Sequence, residues 1–138
     1  MMTASESIHE RLGLYDVALH TFLEKPLLGF GVEGADETLV AQYTALGMMD
    51  AAESNYNPHN QYLQTLVELG LLGACVFLLL LVVIIRNGMP RALTIRVFVV
   101  FLLFFVVESA LQRLPGIASF TAFAMIFASI NSKEAQGD

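Results

Sequence analysis

The sequence predicts an all-α membrane protein: three transmembrane helices preceded by an amphipathic helical segment, together a fragment of a larger polytopic bundle. Three observations predict it. The 138 residues are 56% hydrophobic and only 14% charged, with a mean hydropathy of +0.64, too apolar for an ordinary soluble domain. Three apolar runs, Leu69 to Ile85, Val97 to Val107 and Ile117 to Ile130, occupy the second half. Between the first two, the stretch from Arg86 to Arg96 holds three of the seven basic residues and no acid, whereas residues 1–58 hold nine acids and two bases. Loops rich in Lys and Arg stay in the cytoplasm, so the N-terminal segment is placed outside. The net charge of −6 argues against nucleic acid as a partner.

Residues 1–58 read as the outer segment. Ser7-Ile8-His9-Glu10 has the form of a capping box. Ile8, Leu12, Tyr15, Leu19, Phe22 and Leu23 then form a stripe, predicting an amphipathic helix from Ile8 to Glu24 that Lys25-Pro26 ends. Pro26-Leu27-Leu28-Gly29-Phe30-Gly31 reads as extended and turn-rich. Asp36 is the expected cap of a short helix from Glu37 to Leu46 that Gly47 closes. Met48 to Tyr56 reads as loop.

Residues 59–86 form the first transmembrane helix with an outer extension. Asn57 is its expected N-cap, Pro58 its first helical residue, and His59 lies in the first turn. Tyr62 to Ile85 would cover roughly 36 Å at 1.5 Å per residue, against a hydrocarbon core of about 30 Å. His59, Leu66, Gly70 and Gly73 share a face, and Gly70, Gly73 and Ala74 are the small residues expected to pack against other helices. Residues 87–96 are the cytoplasmic basic loop. Residues 97–131 are a transmembrane hairpin, with a helix running on through Glu108 to Arg113 and a break at Leu114-Pro115-Gly116. Its last run, Ile117 to Ile130, covers roughly 21 Å and is short for a free span. Residues 132–138 are a cytoplasmic tail. An acidic outer segment with no apolar run before it leads to the expectation that further N-terminal transmembrane helices complete the bundle.

Several residues could carry chemistry. His59, at the positive end of a helix, would be held neutral and could act as a general base; it could equally be a polar residue at the membrane interface. Arg11, with Tyr15 four residues on, offers a planar fork for phosphate, or is a solvated arginine among acids. Glu108, a carboxylate inside an apolar helix, is a functional candidate; an ion pair with Arg113 or Arg11 that holds the helix ends is the structural alternative. His9, Asp16, His20 and Glu24 match no metal-ligand spacing, so no metal site is assigned. The single cysteine, Cys75, reads as a small apolar residue.

At Arg11, Tyr15, Ala18 and Pro26-Leu27-Leu28-Gly29-Phe30-Gly31 the chain resembles the large periplasmic loop of O-antigen ligases and related polymerases. His59-Asn60-Gln61-Tyr62-Leu63-Gln64 and Glu68-Leu69-Gly70-Leu71-Leu72-Gly73 resemble that family's return into the membrane. Glu108-Ser109, Arg113 and Gly116 resemble its last hairpin. The resemblance spans about residues 9 to 130. It implies a multi-pass protein of the bacterial inner membrane that moves a glycan from undecaprenyl diphosphate to a hydroxyl of the lipid A core or of a growing polysaccharide. It implies no cofactor, with Arg11 on the diphosphate, His59 as base, and Tyr15, Asn60 and Arg113 in substrate binding. Two other readings stay open: a non-catalytic subunit that packs on a larger partner through Gly70 and Ala74, and a transporter fragment with Glu108 as the coupling group.

Overall fold

A computed structural model of the protein describes residues 4–87 and 91–134; their regular elements are all helical, with no strand among them. The elements are α1 (Ala4–Glu24), α2 (Val32–Ala45), α3 (Met49–Glu53), α4 (Gln61–Asn87), α5 (Arg91–Val107), a 3₁₀ turn (Ala110–Gln112) and α6 (Leu114–Glu134). The all-helical class matches the sequence reading. Among the described residues only α4 is long and apolar enough to cross a membrane; the apolar parts of α5 and α6 are shorter, Ala92–Val107 and Leu114–Phe127. The centre of the predicted basic loop, residues 88–90, and residues 135–138 of the predicted tail lie outside the described residues.

Several predicted boundaries move. α1 begins at Ala4, so Ser7 lies inside the helix and not at its start. The buried face of α1 is Leu14, Val17, Ala18 and Thr21, whereas Leu12, Leu19 and Leu23 of the predicted stripe are exposed. α2 starts at Val32 with Gly31 as its N-cap, ahead of Asp36. The stretch read as loop contains α3. The helix of α5 stops at Val107, Glu108 and Ser109 are non-helical, and Leu114-Pro115-Gly116 opens α6 instead of breaking a helix. Pro115 fits there because the first turn of a helix has no use for its missing N–H.

Two cores result. The outer one packs Leu14, Val17 and Ala18 of α1 against Ala35, Leu39 and Tyr43 of α2, Ala51 of α3 and Val67 of α4. The lower one is aromatic: Phe98 and Phe105 of α5 meet Phe120 and Phe127 of α6, with Leu81 of α4 beside them. Phe98 and Phe120 cross edge to face with centroids 5.6 Å apart, a favoured aromatic geometry.

Where the two cores meet, α4 is broken. Gly70 has φ 63° and ψ −165°, a region essentially restricted to glycine. A regular helix would bond the N–H groups of Leu71 and Leu72 to the carbonyls of Val67 and Glu68. The Pro26–Gly31 loop takes over all four groups. Phe30 N–H donates to Val67 O at 2.9 Å and Gly31 N–H to Glu68 O at 2.8 Å; Leu71 N–H donates to Pro26 O at 2.8 Å and Leu72 N–H to Leu27 O at 3.2 Å. A break inside a helix survives when its freed backbone groups find partners. Two lost helical bonds are thus replaced by four. The close approach at Gly70 is to the backbone of the loop at Leu27 and Leu28, not to the other helix the sequence led us to expect.

Tyr43 is fully buried and its hydroxyl makes no hydrogen bond. Burial, and secondarily the nearby Asp36 carboxylate, push its pKa from 10.0 up to about 12. Between those values the unfolded chain releases a proton that the folded chain holds. Tyr43 therefore leaves stability intact below pH 10 and lowers it as pH rises to about 12. Tyr43→Phe is expected to keep or raise the melting temperature at neutral pH, since no bond is lost. It should also melt with a smaller loss than wild type between about pH 9 and about pH 11. Thermal unfolding at the two pH values checks both; an equal loss in the two proteins would show that Tyr43 does not titrate with folding.

Candidate functional site

The candidate site lies where α4 begins and α5 ends. Its first component is the turn before α4. The predicted cap, Asn57, is not the cap; Asn60 is. Asn60 Oδ1 accepts the N–H groups of Tyr62 (3.0 Å) and Leu63 (3.1 Å), the standard way to satisfy a helix's first donors. Asn57 Oδ1 instead accepts the N–H of His59 at 2.9 Å, tightening the turn. His59 accordingly precedes the helix, with φ +48°. A non-glycine residue in that region is uncommon and costs about 1–3 kcal/mol, and such strain concentrates at functional sites. The first-turn dipole argument for His59 does not hold, because the residue is not in the first turn.

The second component is the C-terminus of α5, whose last carbonyls lack helical partners. Asn60 Nδ2 donates to Val106 O at 3.0 Å, Tyr15 Oη donates to the same carbonyl at 3.1 Å, and Arg11 Nη1 donates to Val107 O at 3.5 Å. A guanidinium at the negative end of a helix is favourably placed. Asn60 N–H also donates to Ser109 Oγ at 3.0 Å, and Leu111 N–H donates to Gln61 Oε1 at 2.8 Å. Four predicted site residues, Arg11, Tyr15, Asn60 and His59, are therefore brought to one helix end. The polar groups of Asn60 are taken up by the fold.

Because α5 stops at Val107, Glu108 turns toward His59. Its Oε1 lies 3.5 Å from His59 Nδ1, and both side chains are 24% exposed. The expected partners Arg113 and Arg11 are not within ion-pair distance of it in the described structure. Arg113 is exposed, in extended conformation at the end of the 3₁₀ turn. Glu108 and Arg113 instead line a cavity of about 460 Å³ with Phe101, Phe104 and Pro115. On the other side, His59 lines a polar cavity of about 210 Å³ with Glu10, Arg11, Leu14 and Tyr56. Neither Gly73 nor Ala74 belongs to these two cavities; both lie beyond the break, and Ala74 borders an apolar cleft with Tyr62 and Phe77.

Some participants were not singled out from the sequence. The ring of Tyr56 stands edge-on to His59, with centroids 5.8 Å apart and planes at 75°. Nothing in Asn55-Tyr56-Asn57-Pro58 marks it except adjacency to the turn. Glu68 is buried and its Oε1 accepts from Gln64 Nε2 (2.8 Å) and Gln112 Nε2 (2.7 Å). A carboxylate just ahead of an apolar run was a legible signal. Among the described residues no three His, Cys, Asp or Glu side chains are grouped so as to hold a metal ion.

A family model described as O-antigen ligase matches residues 2–78, more than half of the chain. The matched stretch contains Arg11, Tyr15, the Pro26–Gly31 loop, His59 and the Gly70 break; Glu108 and Arg113 lie beyond it. No curated protein matches the chain. No solved structure matches it.

Proposed function

The chain belongs to the O-antigen ligase family, and on that premise we propose that it acts in the transfer of a glycan from undecaprenyl diphosphate to an acceptor hydroxyl. The family indicates an enzyme of the glycosyltransferase type that works in lipopolysaccharide biosynthesis. The donor, the acceptor (a lipid A core sugar or a growing polysaccharide) and the residue roles are our reading. So are the three-span topology and the periplasmic position of the outer helices at the inner membrane. The observation that supports it best is that the family match contains both Arg11 and His59, which the fold brings to the wall of one cavity.

The chemistry follows from those two groups. The acceptor hydroxyl attacks the anomeric carbon while the carbon–oxygen bond to the diphosphate breaks, and the bonding electrons leave with the diphosphate. A fixed guanidinium meets that growing charge, and Arg11 is the cation of this cavity. His59 takes the hydroxyl proton as the new bond forms. Tyr15 donates to Val106 O, next to the Val107 carbonyl that Arg11 bonds, and so helps fix the helix end that places the guanidinium. Arg113, in the more apolar cavity beside Glu108, is suited to the lipid-side phosphate.

The test is transfer in membrane vesicles that carry the complete gene product, supplied with a labelled undecaprenyl-diphosphate glycan. Label should move to the acceptor and undecaprenyl diphosphate should be released in equal amount. Arg11→Lys is expected to raise the donor KM by about tenfold, because an ammonium keeps the charge but loses the two-pronged geometry. No release of undecaprenyl diphosphate in the presence of acceptor would overturn the reading.

A further inference from the structure

We infer that Glu108 is a positioning residue for His59: its carboxylate holds the imidazole with Nδ1 protonated, leaving Nε2 as the nitrogen that can accept a proton. Three observations point to it. His59 Nδ1 and Glu108 Oε1 are 3.5 Å apart, a separation that a small side-chain adjustment turns into a hydrogen bond. Both atoms are buried, and neither makes any other hydrogen bond. Buried polar atoms are almost always paired, and the approach of these two to each other is the one ion-pair contact either makes among the described residues. Finally, each is delivered by a departure from regular helix. His59 sits in a positive-φ turn before α4, and Glu108 sits where α5 stops short of the sequence-predicted end. Had the helix continued to Arg113, the carboxylate would have followed a different path around the helix axis.

Which imidazole nitrogen carries the proton is set by what the other side of the ring bonds. A carboxylate acceptor at Nδ1 fixes that proton there. When His59 takes a proton at Nε2 from an acceptor hydroxyl, the ring becomes a cation and the carboxylate beside it offsets the new charge. Glu108 touches neither donor nor acceptor in this scheme; it acts through the ring, as a third group orients the base in other activated pairs. The other charged or titratable groups facing His59 are Tyr56, edge-on, and Glu10 and Arg11 across the cavity. None of these hydrogen-bonds to Nδ1.

The kinetic part of this inference rests on the transfer reading above; the tautomer does not. The protein, with exposed His9 and His20 replaced by Gln and histidine labelled with ¹⁵N, is reconstituted in bilayer discs. Nitrogen resonances are recorded at a pH where the ring signal is that of neutral imidazole. Nδ1 is expected to be the protonated nitrogen, and Glu108→Ala should abolish that preference. A wild-type ring protonated at Nε2, or an unchanged preference in Glu108→Ala, would overturn the pairing. Should Glu108→Ala fail to fold, the wild-type spectrum alone still decides, and Glu108→Gln keeps the side-chain shape for kinetics. Glu108→Gln is expected to lower kcat by about 10–10³-fold, less than the roughly 10⁴-fold loss for a tightly bonded triad aspartate, with the donor KM unchanged and partial recovery in Glu108→Asp. A raised donor KM at unchanged kcat would instead assign Glu108 to donor binding.

Discussion

His59→Ala is expected to reduce glycan transfer by about 10²–10⁴-fold, the usual worth of a positioned general base. The donor KM should change little, because the diphosphate is held by cations and not by the imidazole. The substitution also relieves a strained residue only in part, since alanine still carries a Cβ at φ +48°. His59 makes no side-chain hydrogen bond in the described structure beyond its approach to Glu108, so removing the ring leaves the Asn57 and Asn60 turn intact. Folding should accordingly be close to wild type. The measurement is initial rate against donor concentration in vesicles, with protein level followed in parallel. A kcat within about threefold of wild type, well short of what a base supplies, would end the general-base role.

Gly70→Ala should have the largest effect on the fold. A Cβ at Gly70 would lie 2.5 Å from the Leu27 carbonyl carbon and oxygen and 2.6 Å from the Leu28 nitrogen. These are backbone atoms of the loop that stitches the break, and they have nowhere to go. The positive φ adds about 1–3 kcal/mol of strain. Displacing the loop also endangers its four hydrogen bonds to residues 67, 68, 71 and 72, each worth about 1 kcal/mol. The sum exceeds about 4 kcal/mol, a large share of the 5–15 kcal/mol that holds a typical protein folded. Gly29→Ala should fail in the same way from the opposite side, since its Cβ would lie 2.5 Å from the Glu68 carbonyl. Gly47→Ala is the control, with φ +72° but open space around its Cβ; it isolates the strain from the clash. Protease resistance and melting in detergent read the effect. If Gly70→Ala melts no lower than Gly47→Ala, the interlock of loop and broken helix is not what holds the two cores together.

The proposed base and the interlock of the fold lie on one short stretch, His59 to Gly73, and the sequence displayed that stretch plainly. His59 through Gly73 stands out because polar and glycine residues lead into an apolar run. The apolar runs and the helical class were readable, because composition, periodicity and turn residues report local preferences. The buried face of α1 was not. Leu12, Leu14, Val17, Ala18, Leu19, Phe22 and Leu23 surround most of that helix, so periodicity alone could not say which of them a neighbour would cover. Tertiary packing chose Leu14, Val17 and Ala18.

What the sequence determined by itself was the all-helical class and the position of the long apolar helices. What only the tertiary structure decided was where the helices stop. A helix end is a competition between continuing the i to i−4 ladder and handing its backbone groups to other partners. Those partners are remote in the chain: the Pro26–Gly31 loop for the Gly70 break, and Arg11, Tyr15 and Asn60 for the end of α5. No local pattern encodes a partner that far away. The approach of His59 to Glu108 follows from the turn before α4 and the end of α5, which is why it became visible only once the chain was folded.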